Sequence, residues 1–453
     1  KLSPDKTYLV HEDGTPFFWF ADTWWYGGSG RTTLEEFEIL VKDRAQKGFT
    51  VVQLVVGVPP ETDTFSDDAA NSGGLPFNKD LTINKNYFNE IDTKIRLLIE
   101  NGLVPCIVGG WGHQINTIGI EPLKKLWDEI LARYAKYPVI FCLCGEANLT
   151  APYIPGFPQT EKNKQKLFSI LKTLKLFTLA QKTKRHLMYL YLKKKEAAFI
   201  NKNIKLWNEL AEYIQSKNTH KRPLTVHVRS DITANNLFHN PSWLTINTIQ
   251  SGHAKESLPF MIASIKQASE TTLQPIINME PWYEGIGNNF DEYYQRLAFW
   301  ACILSGAKGH TYGAHGIWQM AKNGDNFMEH WGKSDWKKAL QQQGAAQLGN
   351  AVAFLKQYEW WKLRPDFSLV VPEWTEKKPY QPVAATIDNK IYFIYIPNKN
   401  MIQSKLTIIK QLRNEKVFGY LPDILKQIPI VYENSTITIP KTDTKDLLLI
   451  ITL

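Results

Sequence analysis

The chain has 453 residues, of which 43% are apolar and 21% are charged, so it belongs with globular rather than disordered proteins. Its net charge of +9 is concentrated in residues 162–195, which hold ten Lys and Arg185 and no acid, leaving the remainder at −2. A nucleic-acid-binding surface spread over the fold is therefore disfavoured, and a solvated helix face is favoured over a polyanion site. No apolar run reaches about 18 residues, so no membrane span is predicted.

Stretches typical of strands and helices alternate through the first four-fifths of the chain, as a parallel sheet with crossover helices requires. The predicted strands cover residues 16–25, 50–58, 104–110, 139–145, 224–228, 244–250, 275–280 and, with its loop, 308–320. The predicted helices cover residues 32–47, 87–101, 121–137, 160–217, 289–305 and 339–358. Eight predicted strands in succession, with helices between most of them, predict a (β/α)8 TIM barrel over residues 1–361.

The fourth predicted helix is a lysine-rich insert, about 160–217. Its apolar residues follow helical spacing at Leu167, Ile170, Leu171, Leu174 and Phe177. We expect one or two long helices outside the barrel, because a lysine-rich face needs water.

The pattern changes near residue 362, after which only short alternating runs remain. These runs lie at residues 367–371, 383–387, 391–396, 405–409, 428–432, 435–439 and 446–452. They predict a small all-β sandwich domain over residues 362–453.

Cysteine usage points to buried thiols rather than to a disulfide framework. Cys106, Cys142 and Cys144 lie in apolar strand-like runs, and Cys302 lies in a helix-like run. The chain begins at KLSPDK without a signal peptide, which fits a mature form or a shortened one.

Residues 275–285, PIINMEPWYEG, are the most informative stretch. An apolar strand leads into Glu280, and Pro281, which has no N–H, ends the ladder at once. The acid is thus expected at the carboxyl end of the seventh strand, where barrels place catalytic groups. Glu146 follows the fourth strand, and the first strand is taken to end at Asp22. Two carboxylates that face each other across a barrel mouth are what glycoside hydrolysis needs.

Histidines and aromatic residues follow several of the same strands. The histidines leave open a divalent-metal hydrolase, but the first strand lacks the His-x-His pair of such barrels, so hydrogen bonds to a polar ligand are preferred. The aromatic residues fit either a sugar platform or ordinary core packing. The residues of the two sets are His113, His227, His253, His310 and His315, and Trp111, Trp282, Tyr283, Tyr312 and Trp318.

Four stretches resemble motifs of the apiosidase-like glycoside hydrolases, glycoside hydrolase family 140 and its relatives. They are FFWFADTWW, QSGH, NMEPWYEG and GHTYGAHGIWQ, which begin at residues 17, 250, 278 and 309. The resemblance implies a retaining barrel enzyme with an acid/base at Glu146 and a nucleophile at Glu280. It also implies the C-terminal sandwich, which carries a collagen-binding label in relatives, and a secreted or periplasmic location.

One departure from the family pattern concerns the acid/base. Relatives often have Gly-Gly-Asp where this chain has Cys144-Gly145-Glu146. Glu is longer than Asp by one methylene, so the cleaved bond should lie slightly differently.

These observations predict a retaining glycoside hydrolase that acts on a plant or algal-type polysaccharide or oligosaccharide, with no cofactor and no metal. Carbohydrate is the expected partner, and no nucleic acid is expected. The alternatives are a catalytically silent carbohydrate-binding barrel and a metal-dependent hydrolase. The expected substrate-binding residues are Asp22, Trp111, His113, His253, Trp282, Tyr312 and Trp318.

Overall fold

The computed structural model describes residues 1–149, 179–397, 405–409, 415–438 and 444–453. Eight parallel strands form its centre and end on the carboxyl side at one mouth. They are β1 Trp19–Trp24, β2 Val51–Val55, β3 Val104–Val108, β4 Ile140–Cys142, β5 Leu224–Thr225, β6 Asn247–Gln250, β7 Ile276–Glu280 and β8 Gly309–Tyr312. The predicted (β/α)8 architecture is confirmed, although the regular ladders are shorter than the apolar runs.

The barrel is built from two pieces of sheet. Six strands pair in the order β8-β1-β2-β3-β4-β5, and β6 pairs with β7 separately. Hydrogen bonds outside the regular ladders join the pieces at both seams. Thr225 Oγ1 donates to the Ile246 carbonyl at 2.8 Å on one side, and the Lys308 N–H donates to the Ile276 carbonyl at 3.1 Å on the other.

Helices surround the strands. They are α1 Leu34–Gln46, α2 Tyr87–Glu100, α3 Gln114–Thr117, α4 Ile120–Tyr134, α5 Leu179–Lys217, α6 Ala234–Phe238, α7 Leu258–Thr271, α8 Glu292–Leu304, α9 Trp336–Ala339 and α10 Gln343–Leu355. The capping box predicted for α1 by its first residues is present, because Thr33 and Glu36 each accept the other's backbone N–H.

The C-terminal two-thirds of the insert is the helix α5, whose last turns pack on the barrel. Trp207, Leu210 and Ile214 are buried there, and Tyr213 donates to Asp128 of α4 at 2.8 Å. The residues from 160 to 178, including the five apolar positions named above, lie outside the described residues.

The C-terminal region consists of antiparallel sheets. A six-stranded sheet has the order β9-β11-β12-β18-β14-β15, and a four-stranded sheet has the order β10-β13-β17-β16. The strands are β9 Arg364–Pro365, β10 Val370–Val371, β11 Val383–Ile387, β12 Ile391–Ile396, β13 Lys405–Ile408, β14 Lys416–Leu421, β15 Lys426–Ile428, β16 Val431–Glu433, β17 Thr436–Thr438 and β18 Leu447–Thr452. The strand β14 is absent from the sequence prediction.

A buried ion pair joins these sheets to the barrel. Arg296 of α8 donates through two nitrogens to Asp446, at 2.9 and 2.8 Å. Tyr395 of β12 donates to the same carboxylate at 2.8 Å, and its ring stacks on Trp300 of α8. The paired charges lie on separate layers, so the contact ties α8 to the C-terminal sheets.

None of the helices in the described ranges combines the length and the apolar character that a membrane crossing requires. All four cysteines are buried as free thiols, as predicted.

Candidate active site

Glu280 is the last residue of β7 and is only 6% exposed. Its Oε1 accepts from Gln250 Nε2 at 2.6 Å and lies 3.1 Å from His253 Nε2. Its Oε2 accepts from the Tyr283 hydroxyl at 2.6 Å and lies 3.4 Å from His227 Nε2. Three hydrogen bonds and the nearby His227 ring therefore surround one carboxylate at the end of the strand.

The pKa of Glu280 is strongly lowered by these neighbours. Burial alone would raise the pKa, but the imidazole Nε2 groups of His227 and His253 that face the carboxylate outweigh it and hold the pKa well below its usual range. Glu280 is thus a carboxylate at neutral pH.

Glu146 follows β4 on backbone of positive φ, 46°, which L residues rarely adopt. Its Oε1 accepts from Gln250 Nε2 at 3.1 Å and its Oε2 from Trp111 Nε1 at 3.3 Å. Burial raises the pKa of Glu146, and the negative charge of Glu280 raises it further. The two acids therefore have pKa values shifted in opposite directions.

Gln250 connects the two carboxylates. Because both hydrogen bonds, of 3.1 and 2.6 Å, start from its single Nε2, Glu146 Oε1 and Glu280 Oε1 are at most about 5.7 Å apart. Carboxyl groups about 5–5.5 Å apart are typical of retaining glycosidases, and separations of about 6.5–9.5 Å of inverting ones.

Backbone amides set the tautomers of both histidines. The Glu146 N–H donates to His227 Nδ1 at 3.3 Å, and the Tyr283 N–H donates to His253 Nδ1 at 3.4 Å. Since an Nδ1 that accepts carries no proton, the neutral ring carries its proton on Nε2, which faces Glu280 in each case.

Trp111 lies over the backbone that carries Glu146. A Cβ on Gly145 would lie 2.1 Å from the Trp111 ring, and a Cβ on Gly112 would lie 2.0 Å from the Glu146 carbonyl. Only glycine permits either approach, so these two glycines fix the indole beside the acid.

Further aromatic rings complete the wall around Glu280. Trp25 Nε1 donates to the Tyr283 hydroxyl at 2.9 Å, which directs the hydroxyl proton toward Glu280. The Trp25 ring meets Trp111 edge-on at 5.2 Å, and Trp318 lies 6.0 Å from Tyr283. The expected residues Trp111, His253 and Trp318 are thus brought together with the two acids.

Asp22 and Tyr312, both expected to contact substrate, are fully buried away from the mouth. Asp22 accepts from Arg44 Nε at 2.6 Å, and Tyr312 donates to Glu284 at 2.6 Å. Side chains alternate along a strand, and Thr23 faces the barrel interior, so Asp22 and the Tyr312 paired with it in register point outward to the helices. Their proposed role in substrate contact is therefore wrong.

Trp282 is also misplaced by the sequence prediction. It is fully buried, donates to the Ala254 carbonyl at 2.8 Å and stacks on Phe290 at 5.3 Å, so its role is packing. His113 lies at the start of α3, two residues after Trp111, and burial lowers its pKa to about 4. It is therefore a neutral ring.

Sequence reasoning assigned no role to Gln250 or Trp25, and it named His227 and Tyr283 only as members of the histidine and aromatic sets. All four touch the carboxylates or their partners. Gln250 and His227 each lie at or just after a strand end, the same signal that singled out the two acids. Within the described ranges, no three His, Cys, Asp or Glu side chains gather as a metal site requires, so the metal-hydrolase alternative finds no ligand set there.

A family model described as "Apiosidase-like, catalytic domain" matches residues 3–362. A solved structure described as "Glycoside hydrolase" has a TM-score of 0.73 at 19% identity, covering 100% of this chain and 96% of that one. A glycoside hydrolase family 5 structure from Bacteroides vulgatus ATCC 8482 has a TM-score of 0.74 at 20% identity, covering 100% and 92%. A second Bacteroides vulgatus structure, also described as a glycoside hydrolase, has a TM-score of 0.64 at 12% identity, covering 100% and 81%. At these identities the likeness is one of fold, and no curated protein matches the chain.

Proposed function

The chain belongs to the apiosidase-like family and is a glycoside hydrolase, and we propose that it works by retention, with Glu280 as the nucleophile and Glu146 as the acid/base. The observation that carries the proposal is the pair of bonds from Gln250, which keeps the carboxylates within about 5.7 Å of each other. That spacing leaves room for a covalent intermediate and too little for an inverting water.

The opposite pKa shifts supply the protonation states that the two roles need. In the first step, Glu280 attacks the anomeric carbon, the glycosidic C–O bond breaks, and Glu146 gives its proton to the departing oxygen. The product is a glycosyl ester on Glu280. In the second step, Glu146 takes a proton from water, which attacks the anomeric carbon and frees Glu280.

The substrate we propose is a glycoside of plant or algal-type polysaccharide or oligosaccharide, with an apioside as the first to test because the family description names that activity. Trp111, Trp318 and His253 are the side chains we place around the sugar. We also propose secretion or a periplasmic location, and a catalytic domain that ends near residue 361.

Two amide variants test the roles of the acids. Glu280→Gln keeps the shape but removes the nucleophile, so hydrolysis of every 4-nitrophenyl glycoside, the apioside included, should stop. Glu146→Gln removes the proton donor, so glycosides with a poor leaving group should lose most at the first step. Azide, which needs no base, should restore turnover of the activated substrate in this variant as a glycosyl azide of retained configuration.

The opposing results are equally definite. Equal loss in both variants on every substrate, without azide rescue in either, would overturn the assignment of roles. A wild-type protein that binds but cleaves no glycoside in the panel would instead be the silent carbohydrate-binding barrel.

A further inference from the structure

We propose that Trp331 stacks on a sugar ring of the substrate beyond the cleaved bond, and that Glu61 is the residue that positions its indole. The inference rests on the proposed function, because it assumes that Glu280 marks the reaction centre. Trp331 lies in the loop after β8, and Glu61 lies in the loop after β2.

A single side chain, that of His253, separates Trp331 from Glu280, the proposed nucleophile. His253 touches Glu280 and packs on Tyr283 at 4.4 Å, and the Trp331 ring meets His253 edge-on at 6.2 Å. Side-chain exposure is 7% at Glu280 and 15% at His253, and Trp331 as a whole is 36% exposed. Trp331 is the outermost and most exposed of these three side chains, so its indole lies where a second sugar unit of a bound substrate would extend out of the site.

The indole is held rather than loose. Its Nε1 donates to Glu61 Oε1 at 3.1 Å, and the other oxygen of Glu61 lies 3.0 Å from His330 Nε2. Glu61 has a φ of 53°, a conformation that costs a non-glycine residue energy. A strained residue that anchors an exposed aromatic ring is more readily explained by binding than by stability, since surface ion pairs stabilise little.

The loop that carries Trp331 is itself tied to the barrel. His315 Nε2 donates to the Gly332 carbonyl at 2.8 Å, and Ser334 donates to the His315 carbonyl at 2.7 Å. Arg31 pairs with Asp325 and covers the Phe327 ring at 3.6 Å. The indole therefore keeps its place without substrate, which lowers the entropy cost of stacking on it.

The kinetic test compares two substrates with the same glycone, 4-nitrophenyl β-D-apioside and an apiosyl-glucose disaccharide. Trp331→Ala should lower kcat/KM for the disaccharide about tenfold more than for the aryl glycoside, the scale of one aromatic anchor. Trp331→Phe should recover most of the difference. Glu61→Ala should show part of the loss and Glu61→Gln, which keeps an acceptor oxygen, should show less. The control is Tyr137→Ala, an aromatic residue of similar exposure, 41%, at the opposite end of the barrel.

A second measurement separates this inference from the proposed reaction. The measurement is native gel electrophoresis, with soluble pectin or another plant polysaccharide in each gel. At least one polysaccharide should retard the wild type and Tyr137→Ala, and Trp331→Ala should migrate without retardation in that gel. Equal ratios of kcat/KM in wild type and Trp331→Ala would overturn the subsite while leaving the reaction intact. If the wild type cleaves neither apioside, the proposal that the substrate is an apioside is wrong. Independently of activity, the subsite proposal is wrong if Trp331→Ala is retarded as much as the wild type, or if the wild type is not retarded in any gel.

Discussion

Glu280 owes its charge partly to two backbone amides that do not touch it. The N–H groups of Glu146 and Tyr283 occupy Nδ1 of His227 and His253. Each ring is left with an Nε2–H that faces the carboxylate. The loop that carries Glu146 thus fixes the His227 tautomer whose Nε2–H faces Glu280.

The effect of these donors can be measured with His253→Phe, which keeps a ring on Tyr283 and removes the Nε2–H. Because His253 lowers the pKa of Glu280, the variant should have a higher pKa there. Glu280 must be ionised to attack, so the acid limb of kcat/KM should move up by about one pH unit, the worth of one hydrogen bond to a charge. A pH–rate profile checks the shift.

The control for that experiment is His11→Phe, the same substitution at an exposed histidine between the short antiparallel strands Leu9–Val10 and Pro16–Phe17, which precede β1. Its acid limb should coincide with that of the wild type. An unmoved limb in His253→Phe would show that His253 does not govern the charge of Glu280.

Sequence reasoning could identify acids at strand ends but not the direction of each side chain. Glu280 ends a strand that Pro281 interrupts, Glu146 follows a strand and Gly145, and the structure places both acids beside Gln250. Asp22 lies within its strand, where a shift of one residue exchanges the barrel interior for the helix side. The apolar run before it, buried on both faces, does not reveal that register.

At the scale of elements, Glu284 links the loop after β7 to α10. It accepts from the Gly344 N–H at 3.1 Å and from the Tyr312 hydroxyl at 2.6 Å. A Cβ on Gly344 would lie 2.4 Å from Glu284 Oε2. The helix predicted to begin at residue 339 instead begins at Gln343 as α10, separate from α9, and this later start brings a free N-terminal amide to the Glu284 carboxyl group.

Glu284 makes stability depend on pH. Burial raises its pKa to about 7, above the value of 4.5 for an unfolded chain. A raised pKa in the folded state gives stability that is complete below 4.5 and is lost as pH rises through 7. Relative to Glu284→Gln, which does not titrate, the wild type should lose roughly 3 kcal/mol of unfolding free energy between these limits. Urea unfolding of both proteins across this range measures the difference, and parallel curves would contradict it.

The strand missed by sequence reasoning has a comparable explanation. Gly419 lies in the middle of β14, and a glycine within a run weakens the strand signal. A Cβ there would lie 2.6 Å from Ile430, so packing between neighbouring segments requires the residue that hides the strand. In both cases a contact with another segment of the chain, and not the local pattern, decided the structure.

At the scale of the whole molecule, the barrel and the C-terminal sheets share the buried pair Arg296–Asp446. Asp446→Asn leaves Arg296 without a counter-charge, so it should lower the free energy of unfolding by about 3–5 kcal/mol. Calorimetry should show one transition, shifted as a unit, because the pair belongs to both layers.

Lys445→Ala is the matched control, since its pair with Asp291 is exposed and should be worth less than about 1 kcal/mol. Equal stabilities in the two variants, or a second transition confined to the C-terminal sheets, would contradict a shared unfolding unit. The alternating pattern of the sequence was sufficient for the barrel, but a partnership between residues 150 positions apart left no local signal.

The two seams of the barrel bear on how the protein responds to heat. Glu146 extends from the six-stranded piece, whereas Glu280 and Gln250 belong to the β6–β7 pair. Loosening a seam would widen the gap between the carboxylates before either piece of sheet melts. Warming should therefore abolish activity below the temperature at which the protein unfolds, and cooling should restore activity, because the two seams of the barrel set the distance between the catalytic carboxylates.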